Sequence, residues 1–415
     1  MANSHIVVHY HELWLKGGNR RFFLHKLREA LRRSLEGIGI ARISEPADRL
    51  VIELADPAAV SEALQRLSRV SGISHLGVAR VLRRTDLAAD PLPAICAVAW
   101  AEVQEERFAS FAVRVRRSDK DFPLNTLAIE REVGGYLFDK LHAEGRQVRV
   151  DLKAPTLTCH IEVTRGPLLV YARRIAGPGG LPANTAGRLT CLLSGGFDSA
   201  VAAFKMMRRG AHLNFVHFWG GGGRPGESSV HVARQLVEQL VPWQFTAKLY
   251  LVPFEPLQRE IAAQAPEELR TLLYRRLMLR IGERIARRTR VKGLVVGDSL
   301  GQVASQTLQN MQAVGSVGSL PLYRPLVGDD KLEIQEIARR IGTYDISAEP
   351  FHDCCPVFQS KSPALFATPE VLDVAEGQLD IAALVERGVN TMNVESFRYR
   401  QGRVEREQLK NRATA

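Results

Sequence analysis

Apolar and polar positions along the first part of the chain fall into short alternating runs. Ile6 to Tyr10 reads as a strand, Asn19 to Leu35 as a basic helix, Leu50-Val51-Ile52 as a strand and Val60 to Val70 as a second helix. Strands and helices traded within so few residues predict a small α+β sandwich over residues 1–66. A second unit of the same kind spans 67–175, with a strand at Phe111 to Val115, a helix at Ala128 to Glu144, and strands at Val148 to Leu152 and Leu157 to Val163. The glycines and prolines between Ala176 and Pro182 leave neither helix nor strand open, so 176–187 reads as a linker. From 188 to 368 longer apolar strands alternate with full helices, the pattern of an α/β domain with a doubly wound, mostly parallel sheet. Residues 369–415 read as a helix and a basic tail carrying Arg398, Arg400, Arg403, Arg406, Lys410 and Arg412. No repeat unit of about 20–50 residues recurs, which excludes solenoids and propellers.

Composition narrows the class. The 415 residues are 45% hydrophobic and 24% charged, ordinary globular values that exclude a disordered, collagenous or disulfide-scaffold chain. The formal charge of +11 and a pI near 9.6 fit a polyanionic partner, nucleic acid before membrane, with general solubility as the plainer reading. The longest apolar run, Pro91 to Ala101, is well short of the ~20 residues a membrane helix needs, so no membrane association is expected. Met1-Ala2-Asn3-Ser4-His5 lacks the basic and apolar segments of a signal peptide, and five scattered cysteines make no disulfide framework. A cytoplasmic protein with reduced thiols is expected.

The densest chemistry lies where the strand Arg188 to Leu193 runs into Ser194-Gly195-Gly196-Phe197-Asp198-Ser199 and then into a helix ending at Gly210. A strand, a glycine turn and a helix present free backbone N–H groups at a positive helix end. The missing Cβ atoms of Gly195 and Gly196 let phosphate oxygens approach. No lysine follows Gly196, so this is not a Walker loop, and a pyrophosphate suits it better than a transferable γ-phosphate. Asp198 is placed to hold a magnesium ion against the phosphates. His217, at the end of Asn214-Phe215-Val216, reads either as a core histidine or as a site residue at a strand end. Arg275 lies in a run with Arg276 and Arg280 that also suits a solvated helix face, and Lys331 also suits a plain surface position. Cys354-Cys355 sits between proline-bearing segments on a loop, where an accessible thiolate can carry a persulfide. The other reading is two small core residues. Cys96, Cys159 and Cys191 show no metal spacing. Arg114 and Arg116 share one strand face and Arg117 begins the turn; with Lys153, Lys16 and Arg20 they form a candidate phosphate-binding surface, or a strand edge protected by charge.

Ser-Gly-Gly-Phe-Asp-Ser resembles the signature of the PP-loop ATPases, which adenylate a substrate and release pyrophosphate. Gly179 to Pro182, Gly297 to Leu308, Arg324-Pro325-Leu326, Asp330-Lys331 and Ile341 to Tyr344 together resemble the ThiI-type tRNA 4-thiouridine synthetases. Upstream, Leu15 to Phe23 is similar to that family's ferredoxin-like domain and Arg114 to Pro123 to its THUMP domain. The resemblance implies a ferredoxin-like domain over 1–66, a THUMP domain over 67–175 and a PP-loop ATPase domain over 188–368. It also implies ATP contacts at Leu192, Leu193, Ser194, Gly195, Gly196, Asp198, Ser199, His217, Phe218, Arg275, Gly297 and Gln306. Lys331 becomes a catalytic cation, Cys355 the sulfur carrier with Cys354 the second choice, and Lys120 joins the RNA-binding residues. The implied reaction adenylates O4 of a tRNA uridine, at position 8, and replaces that oxygen with sulfur from a cysteine persulfide or sulfide, using ATP and Mg2+.

The implied partners are tRNA, a persulfide donor such as a cysteine desulfurase, a thiamine-pathway sulfur-carrier protein and a second copy of the chain as a homodimer. Gly220 to Gly223 and His11 depart from the family pattern, and the chain ends about 60 residues after Cys355, too soon for the rhodanese domain many relatives append. Sulfur is therefore expected to arrive from another protein. An ammonia-using PP-loop ligase and a catalytically idle tRNA-binding protein are the rival readings.

Overall fold

The computed structural model describes residues 4–10, 12–220, 229–349 and 362–409, which fall into two compact units, Met1–Gly180 and Leu181–Ala415. The cysteine pair Cys354-Cys355, His11, Gly221 to Gly223, Lys410 and Arg412 lie outside the described residues.

The strands of the first unit are β1 (His5–His9), β2 (Ile40–Ser44), β3 (Leu50–Leu54), β4 (His75–Leu82), β5 (Ser110–Arg117), β6 (Arg149–Val150), β7 (Leu157–Val163), β8 (Leu168–Tyr171) and β9 (Arg174–Ala176). Its helices are α1 (Arg20–Ser34), α2 (Val60–Leu67), α3 (Leu92–Val103) and α4 (Thr126–Ala143). The two α+β segments expected from sequence share one sheet, in the order β2-β3-β1-β4-β8-β7-β5-β6, with β9 also paired to β4. β4 makes the junction: it runs antiparallel to β1 on one side and to β8 on the other. Its sequence hides this role, because residues on both of its faces are covered and no clean alternation survives. Gly77 in β4 is required by packing: a Cβ there would stand 2.7 Å from the Tyr171 ring. The run Pro91 to Ala101 forms most of α3, which packs with α4 on Phe111, Val113, Ile161 and Val170.

The face of this sheet opposite α3 and α4 carries a buried polar network. Glu162 on β7 accepts from Arg49, from the Tyr171 hydroxyl at 2.6 Å, and lies 2.9 Å from His9 Nε2. Burial alone would raise the Glu162 carboxyl, but His9, Arg49 and Tyr171 overcome it and hold it well below the usual carboxylate range. His9 stacks on His75 at 4.2 Å.

The second unit contains β10 (Arg188–Leu192), β11 (His212–Trp219), β12 (Thr246–Pro253), β13 (Leu294–Val295), β14 (Leu322–Tyr323), β15 (Asn393–Arg400) and β16 (Arg403–Leu409). Its helices are α5 (Phe197–Arg208), α6 (Ser229–Leu240), α7 (Glu255–Gln264), α8 (Arg270–Arg288), α9 (Leu308–Gly315), α10 (Lys331–Ile341), α11 (Tyr344–Ala348), α12 (Pro369–Glu376) and α13 (Ile381–Asn390). The sheet order is β14-β13-β10-β11-β12-β15-β16, parallel from β14 to β12. The chain leaves β10 toward β11 and β12, then returns to lay β13 on the other side. That reversal beside β10 is the switch point where open α/β sheets bind ligands.

The C-terminal stretch corrects the expectation of a helix and a tail. Residues Pro369–Asn390 form two helices packed into the α8 core, and 393–409 form a hairpin whose first strand pairs antiparallel with β12. Phe397 and Tyr399 are buried while Arg398 and Arg400 between and beside them are exposed. The arginines read as a basic run, although they are the outward half of an alternating strand. Nor is the run on α8 a solvated face. Arg276 is 0% exposed and donates to Asp373, Glu376 and the Ala313 carbonyl, which ties α12 to α8.

Candidate active site

The buried strand β10 delivers the loop Ser194-Gly195-Gly196 to the switch point, and α5 starts directly after it. Gly196 is the N-cap with φ −79 and ψ 149, and no side chain caps the helix, so its first N–H groups face outward. A Cβ on Gly196 would meet only Ser194 Oγ, at 3.6 Å, an ordinary contact. Neither backbone strain nor packing asks for glycine there; what it leaves is open space before the amides. Ser199 braces the loop from behind. Its hydroxyl accepts from Ser194 N at 3.1 Å and donates to the Gly196 carbonyl at 3.0 Å. Gly297, just after β13, is fixed by the same loop, because a Cβ would come 2.7 Å from Ser199 N.

A cavity of about 250 Å3 opens in front of this turn, lined by Leu192, Ser194, Asp198, Ser199, Arg275, Gly297, Asp298, Gln306 and Arg324 among others. Asp198, half-buried, accepts through Oδ2 from Gln302 Nε2 at 3.0 Å, whereas its buried Oδ1 has no partner. Burial raises its pKa, against the opposing pull of Gln302 and of the Lys331 charge. Gln302 Oε1 and Gln306 Oε1 are buried without partners as well. Asp298 takes Arg275 on one oxygen and Arg324 on the other. Among the residues lining the cavity, Asp198 and Gln306 thus carry unpaired acceptor oxygens and Arg275 and Arg324 carry guanidinium groups. A hard divalent cation suits the first, and phosphates suit the second.

Other expected residues stand further back. His217 is 1% exposed, with Nδ1 2.8 Å from the Leu193 carbonyl and Nε2 3.0 Å from Ser229 Oγ. Both ring nitrogens are engaged, so its side chain supports the end of β10. Phe218 is buried, edge-on to Phe254. Lys331 opens α10, exposed, behind the capping box of Asp330 and Glu333. Sequence reasoning assigned no role to Gln302, Asp298, Arg324 or Tyr344. All four lie inside segments that carried the family resemblance, which was the available signal. Tyr344 packs against Phe197 at the start of α5, ring centroids 5.5 Å apart.

The three described cysteines are buried, and burial pushes the Cys159 and Cys191 thiols up to about 12. None of them suits a thiolate role. In the first unit Arg114, Arg116, Lys120 and Lys153 are exposed, and Arg114 donates to the carbonyl of Leu152, beside Lys153. Lys16 is half-buried over the Phe23 ring. Arg117 turns inward, donating to the carbonyls of Leu124 at 2.8 Å and Phe122 at 3.4 Å, and Arg20 pairs with Asp48 at 3.0 Å. A groove of about 960 Å3 in the same unit, bordered by Arg42, Arg83 and Arg165, is a second basic surface, unmarked in the sequence reading.

Comparison with known proteins accounts for nearly the whole chain. Three family models match: the ThiI ferredoxin-like domain over residues 5–77, the THUMP domain over 94–173 and Thiamine biosynthesis protein (ThiI) over 184–381. A probable tRNA sulfurtransferase of Thermus thermophilus is 41% identical over 94% of this chain and 93% of its own. One from Moorella thermoacetica is 36% identical over 94% of this chain and 96% of its own. A crystal structure of a 4-thiouridine synthetase in complex with RNA and bound ATP superposes with a TM-score of 0.82 at 30% identity, covering 94% of this chain and 99% of that one.

Proposed function

The chain belongs to the ThiI family of tRNA sulfurtransferases, and from that premise we propose how its residues carry out an ATP-dependent thiolation of tRNA. The target is uridine 8, converted to 4-thiouridine. The observation that carries the reading is the uncapped start of α5 behind Gly196, facing a cavity with one free Asp198 oxygen and two arginines. ATP binds along Leu192 to Ser199, with His217 and Phe218 through the backbone and Arg275, Gly297 and Gln306 as further contacts.

Uracil O4 attacks the α-phosphorus, the Pα–O bond to the β-phosphate breaks, and its electron pair leaves on pyrophosphate. The uracil N3 proton is released. Asp198 Oδ1 would hold Mg2+, which when bound neutralises phosphate charge. The amides of α5 receive pyrophosphate through the backbone, and the guanidinium of Arg275 adds charge-assisted donors. Lys331 adds a cation near Asp198. Adenylation is needed because a carbonyl oxygen is a poor leaving group and AMP a good one. Sulfur then bonds to C4 as the C4–O4 bond breaks and AMP leaves with the oxygen. The S–S bond of the Cys355 persulfide is cleaved by a thiol reductant, either before the attack to release sulfide or after it, and a proton returns to N3.

A cysteine desulfurase is the proposed sulfur source, and a thiamine-pathway sulfur-carrier protein a second acceptor of sulfur. The enzyme is proposed to act in the cytoplasm and to form a homodimer; no helix among the described residues is long and apolar enough to cross a membrane. Arg114, Arg116, Lys120 and Lys153 form the RNA-facing surface of the first unit, with Lys16 at half-exposure; Arg20 and Arg117, held by protein partners, support it. Mass spectrometry of tRNA nucleosides from cells with and without the gene tests the reading: 4-thiouridine should vanish on deletion, and unchanged levels would refute it.

A further inference from the structure

Arg275 and Arg324 come from distant elements, α8 and the end of β14, yet meet on one carboxylate. Asp298 is 5% exposed; its Oδ1 accepts from Arg275 Nη2 and its Oδ2 from Arg324 Nε at 3.2 Å. Each guanidinium is also anchored elsewhere. Arg275 Nη1 donates to Ser305 Oγ at 2.7 Å, and Arg324 Nη2 to the Met311 carbonyl at 3.1 Å. The backbone makes room for this, since a Cβ on Gly315 would press to 3.1 Å from Arg324 Nη2. Arg275 Nε and Arg324 Nη1 donate to no described residue. Both side chains line the cavity that Ser194, Asp198 and Ser199 also line.

Two cations on one anion leave a net positive charge at a partly buried place. Glu376 likewise takes two arginines, Arg276 and Arg280, but there Asp373 supplies a second carboxylate. At Asp298 both guanidinium groups line the cavity and each keeps an N–H that no described residue accepts, so their like-charge repulsion stays open to a ligand. The repulsion is relieved when a polyanion enters the cavity. We propose that Arg324 is a second cation for the departing pyrophosphate, and that Asp298 is the positioning residue holding it beside Arg275. This rests on the adenylation reading above. In that step O4 bonds to the α-phosphorus and the Pα–O bond breaks, so one further negative charge develops on the leaving pyrophosphate. Fixed, preoriented guanidinium groups stabilise that charge more in the transition state than in bound ATP.

The test uses the full chain with tRNA, following ATP–pyrophosphate exchange, ATP binding and thermal melting in wild type, Arg324→Gln, Arg324→Lys and Asp298→Asn. Arg324→Gln should lower the exchange kcat by about 100-fold, the scale seen when one preorganised donor is removed. Its KM for ATP should stay within about threefold, as expected for an interaction made mainly in the transition state. Arg324→Lys should recover part of the rate, because charge is kept and the planar fork lost. Exchange at the wild-type rate in Arg324→Gln, or a loss confined to ATP affinity and melting temperature, would make Arg324 a brace between β14 and α9 and overturn the proposal. Asp298→Asn decides the matter if Arg324→Gln does not fold: a kcat equal to wild type overturns it, and a fall with ATP affinity retained supports it. No exchange in the wild-type chain would instead sink the adenylation reading itself.

Discussion

At Asp198, which lines the cavity, one carboxylate oxygen is held by Gln302 and the other is buried and unpaired. An unpaired buried acceptor is costly unless a ligand completes it, so this atom belongs to the chemistry more than to the fold. Asp198→Ala should therefore abolish ATP–pyrophosphate exchange while leaving tRNA affinity within about twofold, since the change lies outside the basic surface of the first unit. Retained exchange would give the loop another job. The cysteine assignment is tested the same way. Cys355→Ser should lose thiolation yet keep exchange, because a hydroxyl fills similar space but holds no persulfide; Cys354→Ser should be much milder. Full thiolation by both single variants and the double variant would remove the sulfur site from this pair. His217 shows the limit of reading residues singly: its strand-end position pointed to the nucleotide, and its two ring nitrogens are taken by Leu193 and Ser229, which leaves its backbone for that contact.

At the level of elements, β5 separates its arginines by environment. Arg114 and Arg116 are exposed at alternate positions, while Arg117 is turned inward to fasten the loop carbonyls of Phe122 and Leu124. Replacing Arg114 and Arg116 together by Ala should weaken tRNA binding and flatten its salt dependence, each lost phosphate contact lowering the slope of log K against log salt by roughly one. Filter binding over a salt series measures it, and an unchanged slope would return both residues to a charged strand edge. Arg117→Ala should act differently, loosening the loop and lowering melting temperature with little change in slope. The strand, helix and turn order at 188–208 was legible because its apolar run, glycines and helix spacing agree. The hairpin β15–β16 was not, because its alternation is carried by arginines that also suit a tail.

On the scale of the whole first unit, Glu162 on β7 joins β1, β8 and the residue just before β3 through His9, Tyr171 and Arg49. Removing one partner of such a buried pair leaves the other charge uncompensated, and Glu162→Gln should cost about 3 kcal/mol by denaturant unfolding. Acid should act on the same network. Burial, with neighbouring positive groups, lowers His75 to about 4 and His160 to about 3, from an ordinary 6.5. The unfolded chain then binds more protons than the folded one below 6.5, so stability falls as pH drops through that window. Glu162, whose pKa is also depressed in the fold, contributes stability above its ordinary 4.5 that is lost on further acidification. Melting temperatures between pH 7 and 4 should decline accordingly, and His75→Phe with His160→Phe should flatten the decline; an equally steep curve in that double variant would place the acid sensitivity elsewhere.

What the sequence determined alone is whatever a local stretch fixes by its own chemistry: the glycine turn between an apolar strand and an amphipathic helix, the class of the α/β sheet, and a family membership carried by spaced motifs. Tertiary structure decided which charges meet. Arg275, Arg276 and Arg280 are equivalent as a helical run, yet one lines the cavity, one is sealed against Glu376 and Asp373, and one clamps Glu376 from its rim. The same holds for Asp298, which draws together arginines nearly fifty positions apart, and for β4, whose pairing on both sides fuses two expected sandwiches into one sheet. Periodicity reports which side of an element faces a core. It carries no information about which distant element supplies the partner, because that choice is made by packing and by the pairing of buried charges across the chain.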